Sequence, residues 1–335
     1  RKAESSDMEE LGLAVIERKV RINFALLARK RGHRKFAAQL IAGCGSESET
    51  EQIELDLARA RIFDDLTLCD RIRPRRPSQR IERDLLRSEL LIGRKQYQEA
   101  EIAVRTALET SRQFQLAYYG RKSLHQLGLC AELQGNFRKA IEYYSRASRI
   151  RALHSQPSFP FSRIYSTSLN GWVRCLVRLG RTAQARRLIQ HHVVPPEKTG
   201  NGETGRTGID LGAPPPEGHF KGRHPSPRPD SDFTVIELWP DGNRIYVWVE
   251  DGRLTQFICL YLSEPAGRMI LDTLSPYYRA NQALPANPDS RRLQRLKKEL
   301  LAPLAGRVET RRIVIVPHKI LQVFPFELLL SLIHI

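Results

Sequence analysis

Cys259 and His318 have the residue types for a thiol–imidazole pair. In such a pair the imidazole takes the thiol proton and the thiolate attacks a carbonyl carbon. Their settings argue against it. Cys259 stands between Ile258 and Leu260 in a strand-like stretch, where a thiol packs as a small apolar group, and His318 follows Pro317 at the end of an apolar run. His191 and His192 are adjacent and have no third ligand nearby, so a helix-end pair is the better reading. Gly200-Asn201-Gly202-Glu203-Thr204-Gly205 has the spacing of a dinucleotide loop. That loop needs a strand before it and a helix after it, whereas prolines precede this one and Gly and Pro follow, which marks it as linker. Residues 71–80 are rich in Arg and Pro, suited to phosphate contacts. No aromatic residues interleave for base stacking, and a solvated connector is the expectation. HExxH, phosphate-loop and GxSxG motifs are absent from the sequence. No catalytic, cofactor-binding or metal-binding residue is therefore assigned, and no cofactor is expected.

Positioning such residues takes folded elements, and composition bounds these. The chain has 335 residues, 41% hydrophobic and 27% charged, enough for real cores and too apolar for global disorder. No apolar run reaches the length of a membrane span. The five cysteines, Cys44, Cys69, Cys130, Cys175 and Cys259, are odd in number and form no CxxC. Reduced, mostly buried thiols in a cytoplasmic protein are expected. Fifty-four Lys+Arg against 37 Asp+Glu give a net charge of +17, with Arg outnumbering Lys by 42 to 12. A chain so charged favours acidic partners: a protein face, nucleic acid or anionic lipid.

Three segments repeat. Tyr97 and Ala100 lead to Val104, Ala107 and Leu108; Gly135, Phe137 and Ala140 lead to Tyr144 and Ala147; Gly180, Thr182 and Ala185 lead to Ile189. Upstream of the second lie Leu124, Leu127, Gly128 and Ala131, and upstream of the third Leu169, Trp172, Val173 and Leu176, each at helical spacing. Each unit reads as a helix, a short turn and a second helix, with the small Ala letting the two pack closely and Tyr97 or Phe137 filling the seam. The alanines are 40 and 45 residues apart, so helices or turns vary in length, and residues 155–160 are one insertion. Lys95 stands where the first turn would have Gly.

The region 1–83 also reads as helical. Leu13, Ile16, Val20, Phe24 and Leu27 share one face, Gly32 to Ala37 and Ile41 give a faint fourth echo of the repeat, and one helix covers Glu51 to Asp70. Residues 84–192 hold the recognisable repeats, with 18 Lys+Arg against 7 Asp+Glu, most of the chain's positive excess. Residues 193–232 form a Pro- and Gly-rich linker, expected to be disordered. After it the period becomes alternating. Phe233 to Trp239, Arg244 to Val249 and Leu254 to Leu262 are strands separated by hairpin turns at residues 240–243 and 251–252. Helices near Glu264–Tyr278 and Ser290–Leu304 follow, then Arg312 to Val316, expected to be a buried strand ended by Pro317.

The repeats resemble the tetratricopeptide repeat, the middle copy best: Leu124, Leu127, Gly128, Gly135, Phe137, Ala140, Tyr144 and Ala147. Behind them, Leu300-Leu301-Ala302-Pro303-Leu304, then Arg312 to Pro317, then Pro325-Phe326-Glu327-Leu328 resemble the opening of a CHAT domain, a caspase-like domain associated with tetratricopeptide repeats. The resemblance implies an α-solenoid followed by a linker and the N-terminal part of an α/β caspase-like domain over residues 233–329. It further implies a cysteine endopeptidase whose His and Cys lie C-terminal to the Pro-Phe-Glu-Leu segment. No residue here matches those signatures, so the expectation is an inactive fragment of such an enzyme. Residues 330–335 match one reading frame of a sequencing adapter and are expected to be an artefact, an ordinary apolar helix end being the alternative.

The expected role of the array is to bind a protein or peptide partner with an acidic surface. Alternatives are a non-catalytic scaffold and, less favoured, a nucleic-acid-binding helical regulator.

Overall fold

Six helices within the first 181 residues end in one way. A residue with positive φ follows the helix, and the next N–H bonds to the carbonyl five residues back at 2.8–2.9 Å. This closure satisfies carbonyls the helix end would leave open. The positive-φ residues are Gly32, Asp64, Lys95, Gln115, Gly135 and Gly180. Gly32 separates α1 (Lys2–Lys30) from α2 (Arg34–Ala42), and Asp64 separates α3 (Glu49–Phe63) from α4 (Leu66–Arg71). Lys95 separates α5 (Pro77–Gly93) from α6 (Tyr97–Gln113), and Gly135 separates α7 (Ala117–Leu133) from α8 (Phe137–Arg149). Gln115 joins α6 to α7, and Gly180 follows α9 (Phe159–Arg178). Five residues beyond each of the first four hairpin turns sits a fully buried small residue: Ala37, Cys69, Ala100 and Ala140.

The structure, a computed structural model, describes residues 2–46, 48–150, 159–193, 233–251, 254–279, 291–308, 312–324 and 326. The chain divides into two compact units, one running to Arg181 and the other starting at Thr182. In the first, α1 packs on α2 and α3, α3 on α5, α5 on α7 and α7 on α9, while α6 and α8 sit between their neighbours. The result is a series of paired helices. The linker region 194–232, the insertion 151–158 and the tail 327–335 lie outside the described residues.

One expectation for the first 83 residues is corrected, and the apolar face of α1 is located. The single helix over Glu51 to Asp70 is two helices. Asp64 takes the left-handed conformation (φ 56°), where Arg29 and Arg34 bond its carboxylate, and Asp65 caps α4 by accepting from the Leu68 N–H at 2.9 Å. The face of α1 bearing Ile16, Val20, Phe24 and Leu27 is the exposed one; Ala25 and Ala28 are buried instead, with Ile22 and Leu26 beside them. Small side chains let α2 and α3 approach closely, so the alanine face wins the contact.

In the second unit, β1 (Phe233–Asp241), β2 (Arg244–Glu250) and β3 (Thr255–Tyr261) form an antiparallel meander, and β4 (Arg312–Pro317) adds parallel to β1, giving the order β3-β2-β1-β4. Gly242, with φ 64°, closes the two-residue turn between Asp241 and Arg244. Side chains alternate between faces. Ile236, Leu238, Ile245, Val247, Val249 and Leu260 form one face, packed with α11 (Ala266–Arg279), α12 (Arg291–Leu300), α13 (Ala302–Ala305) and Leu321, Phe324 and Phe326. The opposite face carries Glu237, Trp239, Tyr246 and Trp248. α10 (Thr182–Val193), which the sequence pairs with α9 as a repeat helix, belongs to this second unit and meets that face.

β4 is not the buried strand expected. Val314 and Val316 are exposed, while Ile313 and Ile315 pack into the core. Among the described residues β4 pairs with β1 alone, and its outward residues lack the cover that α10 gives Glu237.

Candidate functional site

The face built by α5, α7 and α9 gathers polar side chains from three successive hairpins. On α7, Tyr118, Lys122, His125 and Leu129 follow one another at steps of four, three and four, all half-buried. Tyr119 donates to Glu82 of α5 at 2.7 Å, and Gln126 donates to the Leu85 carbonyl at 3.0 Å. Arg61 of α3 bonds Glu89 of α5 at 3.2 Å. Burial holds the Lys122 ammonium below its usual pKa despite the opposing pull of Glu89. Burial and the adjacent Glu82 carboxylate push both tyrosine hydroxyls up. The imidazole of His125 lies 3.1 Å from the Ser168 hydroxyl of α9. Burial, helped by Arg174, drives its pKa down to about 4, so it is neutral near pH 7. A neutral ring, a desolvated ammonium and phenol groups make a recognition surface of donors and acceptors rather than a set of nucleophile and base.

One side chain locks this face. The Tyr144 ring of α8 fits between Gly128 of α7 and Gly171 of α9; a Cβ on Gly128 would stand 2.7 Å from the ring, and one on Gly171 would also collide with it. The Tyr144 hydroxyl donates to Glu132 at 2.8 Å, and Glu132 is bonded in turn by Nε and Nη2 of Arg174. Behind it, Glu101 of α6 accepts from Arg105 and from Lys139 of α8. Burial would raise the Glu101 pKa, but these two cations outweigh it and hold the carboxyl low. Asp84, Glu89, Glu101, Glu109 and Glu132 are all ion-paired within the unit. Five of the seven acids of residues 84–192 are thus paired, and with 18 Lys+Arg against those 7 the array keeps a basic excess.

A second polar cluster lies in the sheet unit. Glu237, on β1, accepts from Arg186 Nε of α10 at 2.9 Å and from Gln190 at 3.1 Å, and its other oxygen lies 3.0 Å from His318 Nε2. Arg186 Nη2 also reaches Glu250 at 2.6 Å, and the Trp248 indole donates to the Thr182 carbonyl at 3.2 Å. Burial raises the Glu237 pKa, but His318 and Arg186 more than offset it, and the carboxyl titrates below its usual range. Lys319 sits 3.6 Å from the Trp239 ring centre. This cluster cements α10 to the sheet.

Cys259 and His318 are not brought together. Register sets Cys259 of β3 opposite Tyr246 of β2, and Tyr246 opposite Trp239 of β1. Two strand spacings, roughly 10 Å, separate Cys259 from the strand against which His318 packs. The Arg/Pro run is a connector: Arg75 pairs with Glu49 at 2.6 Å, and Gln79 accepts from the Arg75 and Arg76 N–H groups at the start of α5. His191 and His192 end α10, and Gly200 to Gly205 lie outside the described residues. Among the described residues no cluster of His, Cys, Asp or Glu could hold a metal ion, and no helix is long and apolar enough to cross a membrane. None of the five cysteines is in a disulfide; Cys44, Cys69, Cys130 and Cys175 are buried and Cys259 half-buried.

Sequence reasoning missed Glu132–Arg174 and Glu237–Arg186. The available signal was a lone Glu in the apolar run Val235 to Trp239, and an Arg beside the buried Ala185.

Neither a family model nor a curated protein sequence matches the chain. Among solved structures, the chain is similar to a Rap protein complexed with competence and sporulation factor, at 14% identity and a TM-score of 0.42. The match covers 58% of this chain, which spans 58% of the length of that one.

Proposed function

We propose that the helix pairs of the first unit form a binding platform for a protein or peptide partner with an acidic surface. The carrying observation is the α5–α7–α9 face, where the half-buried Tyr118, Lys122 and His125 lie at helical spacing on a scaffold locked by Tyr144. The array's basic excess, 18 Lys+Arg against 7 Asp+Glu in residues 84–192, supports the acidic choice. The test is photo-crosslinking from position 118 in a lysate, followed by anisotropy with the captured segment. Lys122→Glu should lower affinity about tenfold, the usual scale for a desolvated charged contact. Capture of nucleic acid with steeply salt-dependent affinity would replace this reading with the regulator alternative.

The finer reading is that the platform serves a CHAT-type cysteine endopeptidase, whose caspase-like domain opens at residue 233. Support comes from the order of elements: paired helices, an antiparallel meander, the helices α11 to α13, then β4 ending at Pro317 and leading to Phe324 and Phe326. Because the register keeps Cys259 and His318 apart, the present chain should cleave no peptide substrate. Proteolysis by this chain, or a longer gene product without a downstream His/Cys pair, would sink the peptidase reading.

A further inference from the structure

The outer face of α1 presents Ile16, Val20, Phe24 and Leu27 at steps of four, four and three, exposed by 60, 46, 58 and 44%. Exposed apolar residues scattered singly need no explanation, but four in register along a helix form a stripe. Each other helix of this layer is packed on both sides: α3 lies on α1 and α5, α5 on α3 and α7, and α7 on α5 and α9. Among the described residues α1 packs only on α2 and α3, and its stripe is left uncovered. Residues 15–36 contain eight Lys+Arg and one acid, Glu17. Lys19, Lys30, Arg31 and Lys35 are exposed around the stripe, and Arg21 and Arg34, also exposed, pair with Glu17 and Asp64.

We infer that this stripe is a docking site, separate from the α5–α7–α9 face, for an amphipathic helix of a partner protein bearing Asp or Glu along both flanks. Charge decides between occupants. A second copy would oppose one basic rim with another, which costs rather than stabilises. Four half-exposed side chains also fall well short of the ~800 Å² per partner of a stable dimer. One helix laid along them takes the next place in the stack, with its anchors at i, i+3, i+4 and i+7. Its acidic flanks meet the basic rim and fix its register.

The test uses the full chain and two synthetic 20-residue helical peptides with the same leucine stripe, one flanked by Glu and the other by Lys, titrated by fluorescence anisotropy. The Glu peptide should bind at least about tenfold tighter than its Lys twin, and the double change Val20→Ser with Phe24→Ser should weaken it by about tenfold or more. Both positions are exposed, so an unchanged melting temperature shows the fold intact. Lys122→Glu should leave this binding unaltered, which separates it from the platform proposed above. Equal binding of the twins, no binding at about 100 μM, indifference to the double change, or self-association abolished by it would each overturn the assignment.

Discussion

The phenol ring of Tyr144 occupies the space a side chain would need at Gly128, 2.7 Å from where that Cβ would stand. Alanine normally improves a helix over glycine by about 1 kcal/mol. At Gly128 the clash reverses the sign, because the ring is also held by Gly171 and by its bond to Glu132 and cannot retreat. Gly128→Ala should destabilise the array by about 1–3 kcal/mol. Gly93, near the end of α5 with open space around it, provides the control: Gly93→Ala should be neutral or stabilising. Urea unfolding of both variants decides the matter; equal effects would dismiss the wedge.

Lys95 holds the left-handed conformation (φ 62°) that Gly135 and Gly180 hold at the corresponding turns. A side chain there costs roughly 1–2 kcal/mol in backbone sterics. Lys95→Gly should therefore raise stability by about 1 kcal/mol, net of glycine's greater unfolded freedom. Calorimetry showing a lowered melting temperature would contradict the shared-turn account.

His125 is half-buried and neutral near pH 7, its pKa depressed to about 4 chiefly by desolvation. An unfolded imidazole titrates near 6.5, so between these values the unfolded chain binds the extra proton. Its contribution is therefore fully present above pH 6.5 and declines as the pH falls toward 4. Stability of the first unit should drop over that window, and His125→Gln should flatten the slope. Chemical denaturation at half-unit pH steps reads both curves.

Arg186 joins α10 to two carboxylates, Glu237 and Glu250. Arg186→Met keeps the stem and removes the charge, leaving buried Glu237 short of a partner, a change that typically costs about 3–5 kcal/mol. Amide hydrogens of α10 and β1 should exchange faster, while those of α7 stay protected. Since the Glu237 pKa is held below its usual value, the pairing contributes fully above about pH 4.5. It is lost as the pH falls through the depressed value. Unchanged exchange in α10 would remove the network from the account.

The repeated unit was legible because a helix end, a left-handed turn residue and a small residue five positions later are local requirements. Gly135 with Ala140 and Gly32 with Ala37 show them directly. The α3–α4 hairpin was not legible, since Asp64 and Cys69 fill the same two places with residue types that carry no such signal. Alternation announced the meander and its turn at Gly242, because period two is a property of the strand itself.

Sequence alone thus determined the helix pairs, the change of period after residue 232, the basic charge of the array and the absence of a local catalytic motif. Tertiary structure alone decided which of two apolar faces α1 buries, that the helix holding Ala185 packs on the sheet, and that Tyr144 needs two glycines from different helices. It also brought Arg186 and His318, 132 residues apart in the numbering, onto one carboxylate. The physical reason is range. Turn geometry and periodicity act over a few residues, whereas burial of a charge or a ring depends on which distant surfaces meet, and nothing in the spacing of residues encodes that meeting.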